Sequence, residues 1–180
     1  MADRVNLDAM DTRHRGLTPA IAGTYREAAS VCLSRHHSPP VTMTLSNNGT
    51  TSSAELAWTA PDERIRDAWA NTIDATEAGA YGCLIAGVEL LRGIYPVRRA
   101  ETGTGADYYV GPIGSGQNDL EDCIRLEVSG VDTGSEATVN RRLLAKVQQV
   151  LLGSGSLPAI AGVIGFSCRL LMVKDVLEGP

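Results

Sequence analysis

Residues 102–110 read TGTGADYYV and residues 124–130 read IRLEVSG, and these two stretches decide the fold. The first is a glycine-rich turn running into a short β-prone segment, with Asp107 near the segment's start. The second alternates, placing Ile124, Leu126 and Val128 on one face of a strand and Arg125, Glu127 and Ser129 on the other. Aspartate is a poor strand former, and a neighbouring glycine lets backbone or ligand approach closely. Taken singly, Asp107 could cap a turn and Glu127 could face solvent. If their strands are neighbours, the two carboxylates converge on one face.

Downstream, residues 135–152 carry the apolar positions Val139, Leu143, Val147 and Val150 at helical spacing. Lys146 and Gln149 lie within about 40° of Arg142 along the edge of that stripe. There they either reach a cleft beside the sheet or form an ordinary polar flank. The apolar run Ala159 to Phe166 and the segment Leu170 to Val173 read as the closing strands.

Upstream, Val97 to Ala100 and Ala106 to Val110 read as strands joined by the glycine-rich turn, with a flexible loop from Gly111 to Asp119 after them. Before them a long helical pattern opens at Pro61 and Asp62 and runs to Arg92, stopped by Gly93 and Pro96. Within it Ile73, Ala80, Tyr81, Leu84 and Val88 fall within about 60° of Glu77, so a carboxylate occupies the centre of the stripe expected to face the core. Burying it unpaired would cost several kcal/mol. It therefore calls for Arg98, a tyrosine hydroxyl or a bound cation. Nearer the N-terminus, a helix is expected from Thr18 to Arg35, with Pro19 in its first turn. A hairpin follows, with Val41 to Leu45 and Glu55 to Trp58 flanking Ser46-Asn47-Asn48-Gly49. Residues 1–16 are polar and without period, which suggests a loose arm, and 17–180 form one domain with its core over 62–173.

The 180 residues suit a single domain, and 43% hydrophobic with 21% charged residues is an ordinary globular composition. The formal charge of -5 argues against non-specific coating of nucleic acid. Local positive charge is nevertheless clustered at Arg98 with Arg99 and at Arg141, Arg142 and Lys146. The scattered Cys32, Cys83, Cys123 and Cys168 form no C-x-x-C pair, so free and mostly buried thiols are expected. The N-terminal residues lack a signal peptide's apolar core, and no apolar run is long enough for a bilayer, so a cytoplasmic protein without membrane association is expected.

The order of TGTGADY, RLEVSG and a following amphipathic helix resembles the PD-(D/E)XK nuclease superfamily, which includes restriction endonucleases and Holliday-junction resolvases. The resemblance covers about two thirds of the chain. It implies an α/β fold with a restriction-endonuclease-like mixed sheet flanked by helices, here preceded by the N-terminal helix and hairpin. It also implies magnesium or manganese held by Glu77, Asp107 and Glu127. The family's third-strand motif is Glu-x-Lys, and here Ser129 stands at the lysine position. Lys146 on the following helix is the natural substitute as a catalytic cation, while Ser129, Arg142 and Gln149 would contact substrate. The implied activity is metal-dependent cleavage of DNA. The alternative is a catalytically inactive relative, binding nucleic acid or serving as an assembly subunit in phage defence or restriction, with a protein partner or as a homodimer.

A phosphate cradle at Thr102-Gly103-Thr104-Gly105 is a weaker reading, because the Gly-Lys-Ser/Thr ending is absent and the turn leads into a strand rather than a helix. There is no Gly-x-Ser-x-Gly elbow for a serine hydrolase, and His14, His36 and His37 lie in or beside the segment expected to be flexible.

Overall fold

Why the chain folds as it does is clearest from where its apolar faces go. The computed structural model describes residues 3–116 and 119–176. In chain order the elements are β1 (Arg4–Val5), α1 (Met10–Arg13), α2 (Pro19–Ser34), β2 (Val41–Asn47), β3 (Thr50–Leu56), α3 (Glu63–Ala68) and α4 (Thr72–Arg92). They continue with β4 (Tyr95–Arg99), β5 (Tyr108–Gly111), β6 (Ile124–Val131), α5 (Glu136–Leu152), β7 (Ala159–Gly165) and β8 (Leu170–Val176). The strands form one eight-stranded mixed sheet in the order β1-β3-β2-β8-β7-β6-β5-β4. β4, β5 and β6 are an antiparallel meander, and α5 carries the chain across to β7, which lies parallel to β6.

The two faces of the sheet bury separate clusters. On β6 and β7, Leu126, Val128, Ile160 and Ile164 pack with α2 and α4, while Ala159, Ala161 and Val163 pack with Val139, Leu143 and Val150 of α5. Alternation along a strand sends neighbouring residues to opposite faces, so the sheet is covered on both sides. The alternative in which Glu127 faces solvent is therefore excluded. Arg125 and Glu127 are each only 4% exposed, because α5 roofs their face. Gly130 permits the close approach of α4, since a Cβ there would stand 2.8 Å from the Thr76 carbonyl oxygen.

Three further expectations are corrected. The long helix from Asp62 to Arg92 is two helices. Asp62 caps α3, and the Asn71 side chain caps α4 by accepting from the backbone of Ile73 and Asp74, so a second start interrupts the pattern. Glu77 is not in the core: it is exposed, and Ile73 beside it is 76% exposed. Apart from Tyr81, the buried side of α4 begins with Ala75, Gly79, Ala80, Gly82 and Cys83. These small residues let helices approach closely, but they weigh little in a stripe drawn through large side chains.

The third correction concerns residues 3–16, which are an ordered strap rather than a loose arm. β1 pairs parallel with β3, Leu7 and Met10 are buried, and the Gly16 N–H donates to the Pro96 carbonyl of β4 at the sheet's other edge. Arg13 clamps the strap to α4, its Nε and Nη2 donating to the Glu89 carboxylate at 2.8 and 3.2 Å. His14 is fully buried against the Tyr95 ring. Its Nε2 lies 2.9 Å from Glu89 Oε2, close enough for an ion pair but without the alignment of a hydrogen bond. His36 and His37 are ordered as well, bonded to Asp132 and to the Phe166 carbonyl. Cys32, Cys83 and Cys123 are buried free thiols and Cys168 is half-buried, as expected. Gln117 and Asn118, within the expected loop Gly111 to Asp119, lie outside the described residues.

Burial holds His14 below its ordinary value of 6.5, against the opposing pull of Glu89. The folded state therefore favours the neutral ring. Stability from this site is complete above about pH 6.5 and declines as pH falls from there toward the folded-state value, where the unfolded chain takes up the proton first. Between about pH 7 and about pH 5, the melting temperature of the wild type should fall more steeply than that of His14→Phe. Parallel melting curves would show that His14 does not control the strap.

Candidate functional site

The site lies where two strands part. β5 pairs with β6 only from Tyr108 to Val110, opposite Leu126 to Ile124. β6 continues to Val131, and over Glu127–Val131 its strand partner among the described residues is β7 alone. Asp107 sits at the fork. Its N–H donates to the Leu126 carbonyl at 2.8 Å, and its Oδ2 accepts from the Val128 N–H at 2.8 Å. The carboxylate thus takes a donor that a longer β5 would have paired, which explains an aspartate at the start of a strand.

The other Asp107 oxygen is equally fixed. Oδ1 accepts from the Tyr81 hydroxyl at 2.6 Å and from Arg99 Nη2 at 3.4 Å. The Arg99 guanidinium lies over the rings of Tyr81 and Tyr108, 4.5 and 4.9 Å from their centroids, and also donates to the Tyr81 oxygen at 2.9 Å. Tyr25 stacks on Tyr81 and shares a 2.7 Å hydrogen bond with the Tyr108 hydroxyl. Burial first, and then the acceptor Asp107, push the Tyr81 hydroxyl far above its usual range, so it remains a donor.

Glu127, one turn of the pleat from the fork, points under α5. Its Oε1 accepts from Lys146 Nζ at 2.7 Å and from Gln149 Nε2 at 2.9 Å, and Lys146 also donates to Gln149 Oε1 at 3.0 Å. Burial and then the charge of Asp107 raise the Glu127 carboxyl above its usual range, with Lys146 opposing both. Each carboxylate has a cation of its own, Arg99 from β4 on Asp107 and Lys146 from α5 on Glu127.

A cleft of about 1000 Å³ opens over this pair. α4 lines one wall with Thr72, Ile73, Thr76, Glu77 and Tyr81, and α5 lines another with Arg142, Lys146, Gln149 and Leu152. Every residue singled out from the sequence, Glu77, Asp107, Glu127, Ser129, Arg142, Lys146 and Gln149, borders this one cavity. They are not drawn together equally. The charge of Asp107 is felt at Glu127, and Lys146 and Gln149 bind Glu127, whereas Glu77 stands exposed on the α4 wall. Among the described residues, no three His, Cys, Asp or Glu side chains come together as a ready-made metal cage.

Several members of the site escaped the sequence reading. Tyr81 and Arg99 fix Asp107, though the pattern offered them only as a core tyrosine and half of a basic pair. Asp132, at the far end of the cleft, is held by Arg35 and His36 at 3.3 Å each. Buried Arg125 staples the glycine-rich turn in place, donating from Nη1 to the Thr104 carbonyl at 2.7 Å and from Nε to the Leu157 carbonyl at 2.9 Å. Gly105 in that turn has φ of 67°, and a Cβ there would press on the end of α5 at Gly153, 3.1 Å away.

No protein-family model matches this chain, and neither a curated protein nor a solved structure matches it significantly.

Lys146→Met would leave the Glu127 carboxylate buried without its cation. The Glu127 carboxyl should then titrate at a higher pH than in the wild type, as followed by carbon-13 NMR of labelled glutamate. The fold should lose about 1–3 kcal/mol in urea, less than for a fully enclosed pair because Lys146 retains 19% side-chain exposure. An unmoved Glu127 titration would mean that the ion pair does not persist in solution.

Proposed function

We propose that this protein is a metal-dependent phosphodiesterase acting on DNA in the cytoplasm, built on a restriction-endonuclease-like core. The observation that carries the reading is the placement of Asp107, Glu127 and Lys146 at one strand fork inside one cleft. The helix, antiparallel meander, helix and parallel strand formed by α4, β4, β5, β6, α5 and β7 agree with that core.

The donor set fits a hard divalent cation such as magnesium or manganese. Asp107 and Glu127 bring two carboxylates to the same cleft beside the strand fork. These two would hold the ion, with Glu77 available on the facing wall. When bound, such an ion supplies Lewis-acid stabilisation of the phosphoryl oxygens and a lowered pKa for bound water.

The protein's own groups account for the rest. Tyr81, Arg99 and the Val128 N–H fix the Asp107 carboxylate, so little reorganisation is needed when substrate arrives. Lys146 supplies the positive charge that Ser129 cannot, and its ammonium reaches Glu127 from α5. It would orient the attacking water or the scissile phosphate. Gln149 holds that lysine, and Arg142, which makes no ion pair among the described residues, is placed to contact the DNA backbone.

The second reading, an inactive binding or assembly subunit, is favoured by Ser129 at the lysine position of the motif and by the -5 net charge. Incubation of plasmid and single-stranded DNA with magnesium, manganese or EDTA separates the two. The proposed activity predicts cutting that requires the ion. Glu127→Gln and Lys146→Met should each reduce it on the order of a hundredfold or more, with Asp107→Asn behaving alike. DNA bound but left intact in both metals would favour the inactive subunit, and the absence of both binding and cutting would remove the nucleic-acid reading.

A further inference from the structure

We propose that Arg99 restrains the binding of a divalent cation at Asp107: its guanidinium is a resident positive charge against which the ion must bind, and removing it tightens binding. The inference rests on the proposed ion site at Asp107 and Glu127. An ionised carboxylate offers about four lone-pair directions. At Asp107 three groups already address them. The Val128 N–H lies 2.8 Å from Oδ2, and the Tyr81 hydroxyl and Arg99 Nη2 lie 2.6 and 3.4 Å from Oδ1. The Arg99 contact is too long for a strong hydrogen bond, so its weight is electrostatic. An incoming ion finds an aspartate whose charge is already partly met and whose open direction is at Oδ2.

Three anchors keep the guanidinium there. Antiparallel pairing of β4 with β5 sets Arg99 opposite Tyr108. The guanidinium lies over the Tyr81 and Tyr108 rings, both of them buried. Its Nη2 also donates to the Tyr81 oxygen at 2.9 Å. With Lys146 on Glu127, each acid has a protein cation before any ion arrives. A dication entering beside them is attracted by two carboxylates and repelled by two cations. These two cations differ in place. Lys146 lines the cleft, where substrate would meet it, whereas Arg99 is not among the lining residues. Arg99 therefore acts through Asp107, as a positioning residue. Half of its side chain is exposed, so solvent and salt weaken its repulsion of the ion without removing it.

The probe is manganese, added to the full chain without DNA. Its binding is read from the loss of the free-ion signal in electron paramagnetic resonance, so the readout does not depend on cleavage. Arg99→Met, whose unbranched stem still crosses the two rings, should bind manganese about fivefold to twentyfold more tightly than the wild type. Arg99→Gln should do the same and guards against a packing effect of the methionine. Arg99→Lys keeps the charge and should stay within about threefold of the wild type. The gain should shrink between about 50 mM and about 500 mM potassium chloride, as expected for a half-exposed charge. Adding Asp107→Asn to Arg99→Met should abolish it, which locates the tightened ion at Asp107. Arg98→Gln, at a side chain that pairs with Glu101, should leave the affinity within about twofold of the wild type.

Manganese bound by the wild type but no more tightly by Arg99→Met and Arg99→Gln, or a gain that survives Asp107→Asn, would overturn the inference and leave the ion site standing. Absence of manganese binding in the wild type and in every variant would remove the ion site and the inference together.

Discussion

One hydrogen bond organises the functional end of this molecule: the Asp107 carboxylate accepts the Val128 N–H where β5 leaves β6. A sheet that loses a strand partway along exposes backbone donors and acceptors, and buried backbone groups are costly to leave unpaired. Here a side chain supplies the missing partner and β5 is free to turn away, so the fork becomes a cavity instead of a continued ladder. The same bond fixes Asp107 against β6, with Glu127 of the neighbouring pleat beside it. The opening of the cleft and the proximity of its two acids share this cause.

The fork is held from both faces of the sheet. On one side, Tyr25 from α2, Tyr81 from α4, Arg99 from β4 and Tyr108 from β5 form a stacked, hydrogen-bonded unit that ends on Asp107. On the other, Lys146 and Gln149 descend from α5 onto Glu127. Each acid therefore has its own support, drawn from helices in different layers. The two layers meet electrostatically at the carboxylate pair, where burial and mutual repulsion raise the Glu127 carboxyl and Lys146 pulls it back. Neither set of supports can shift without altering the charge balance seen by the other.

Much of this was legible in the sequence because strands and amphipathic helices announce themselves by period. β6, α5 and β7 follow their apolar spacing closely, and helical geometry put the row Arg142, Lys146 and Gln149 at the edge of the apolar stripe without deciding between a cleft and an ordinary polar flank; the structure lines the cleft with it. What was not legible depends on partners distant in the chain. Glu77 lay in the centre of a stripe drawn through large side chains, yet α4 packs its first turns through Ala75 and Gly79, whose small size a hydropathy pattern undervalues. Alternation in β6 left open whether Glu127 faces solvent, and only the covering by α5 makes Arg125 and Glu127 buried. The strap over residues 3–16 has no period because it is anchored at isolated points, through Leu7, Met10, Arg13 and Gly16, rather than along a face. Asn71 divides a helix by a cap that reads in sequence as one more polar residue.

The position of the site's cation follows from the same geometry. Residues two apart on a strand share a face, so a lysine at position 129 and the lysine at 146 would both be directed at the space around Glu127. Two ammonium groups there would repel each other and compete for the same Glu127 oxygens. The fold supplies one such lysine, and it comes from α5. Lys146 is held between Glu127 and Gln149, the latter one turn further along α5, and that turn gives the ammonium a second acceptor that a strand position does not provide by its own spacing. Ser129 at the cleft floor then leaves open the volume a lysine side chain would have filled. On the nuclease reading, a base or phosphate has room to enter beside the acids without displacing the charge that balances them.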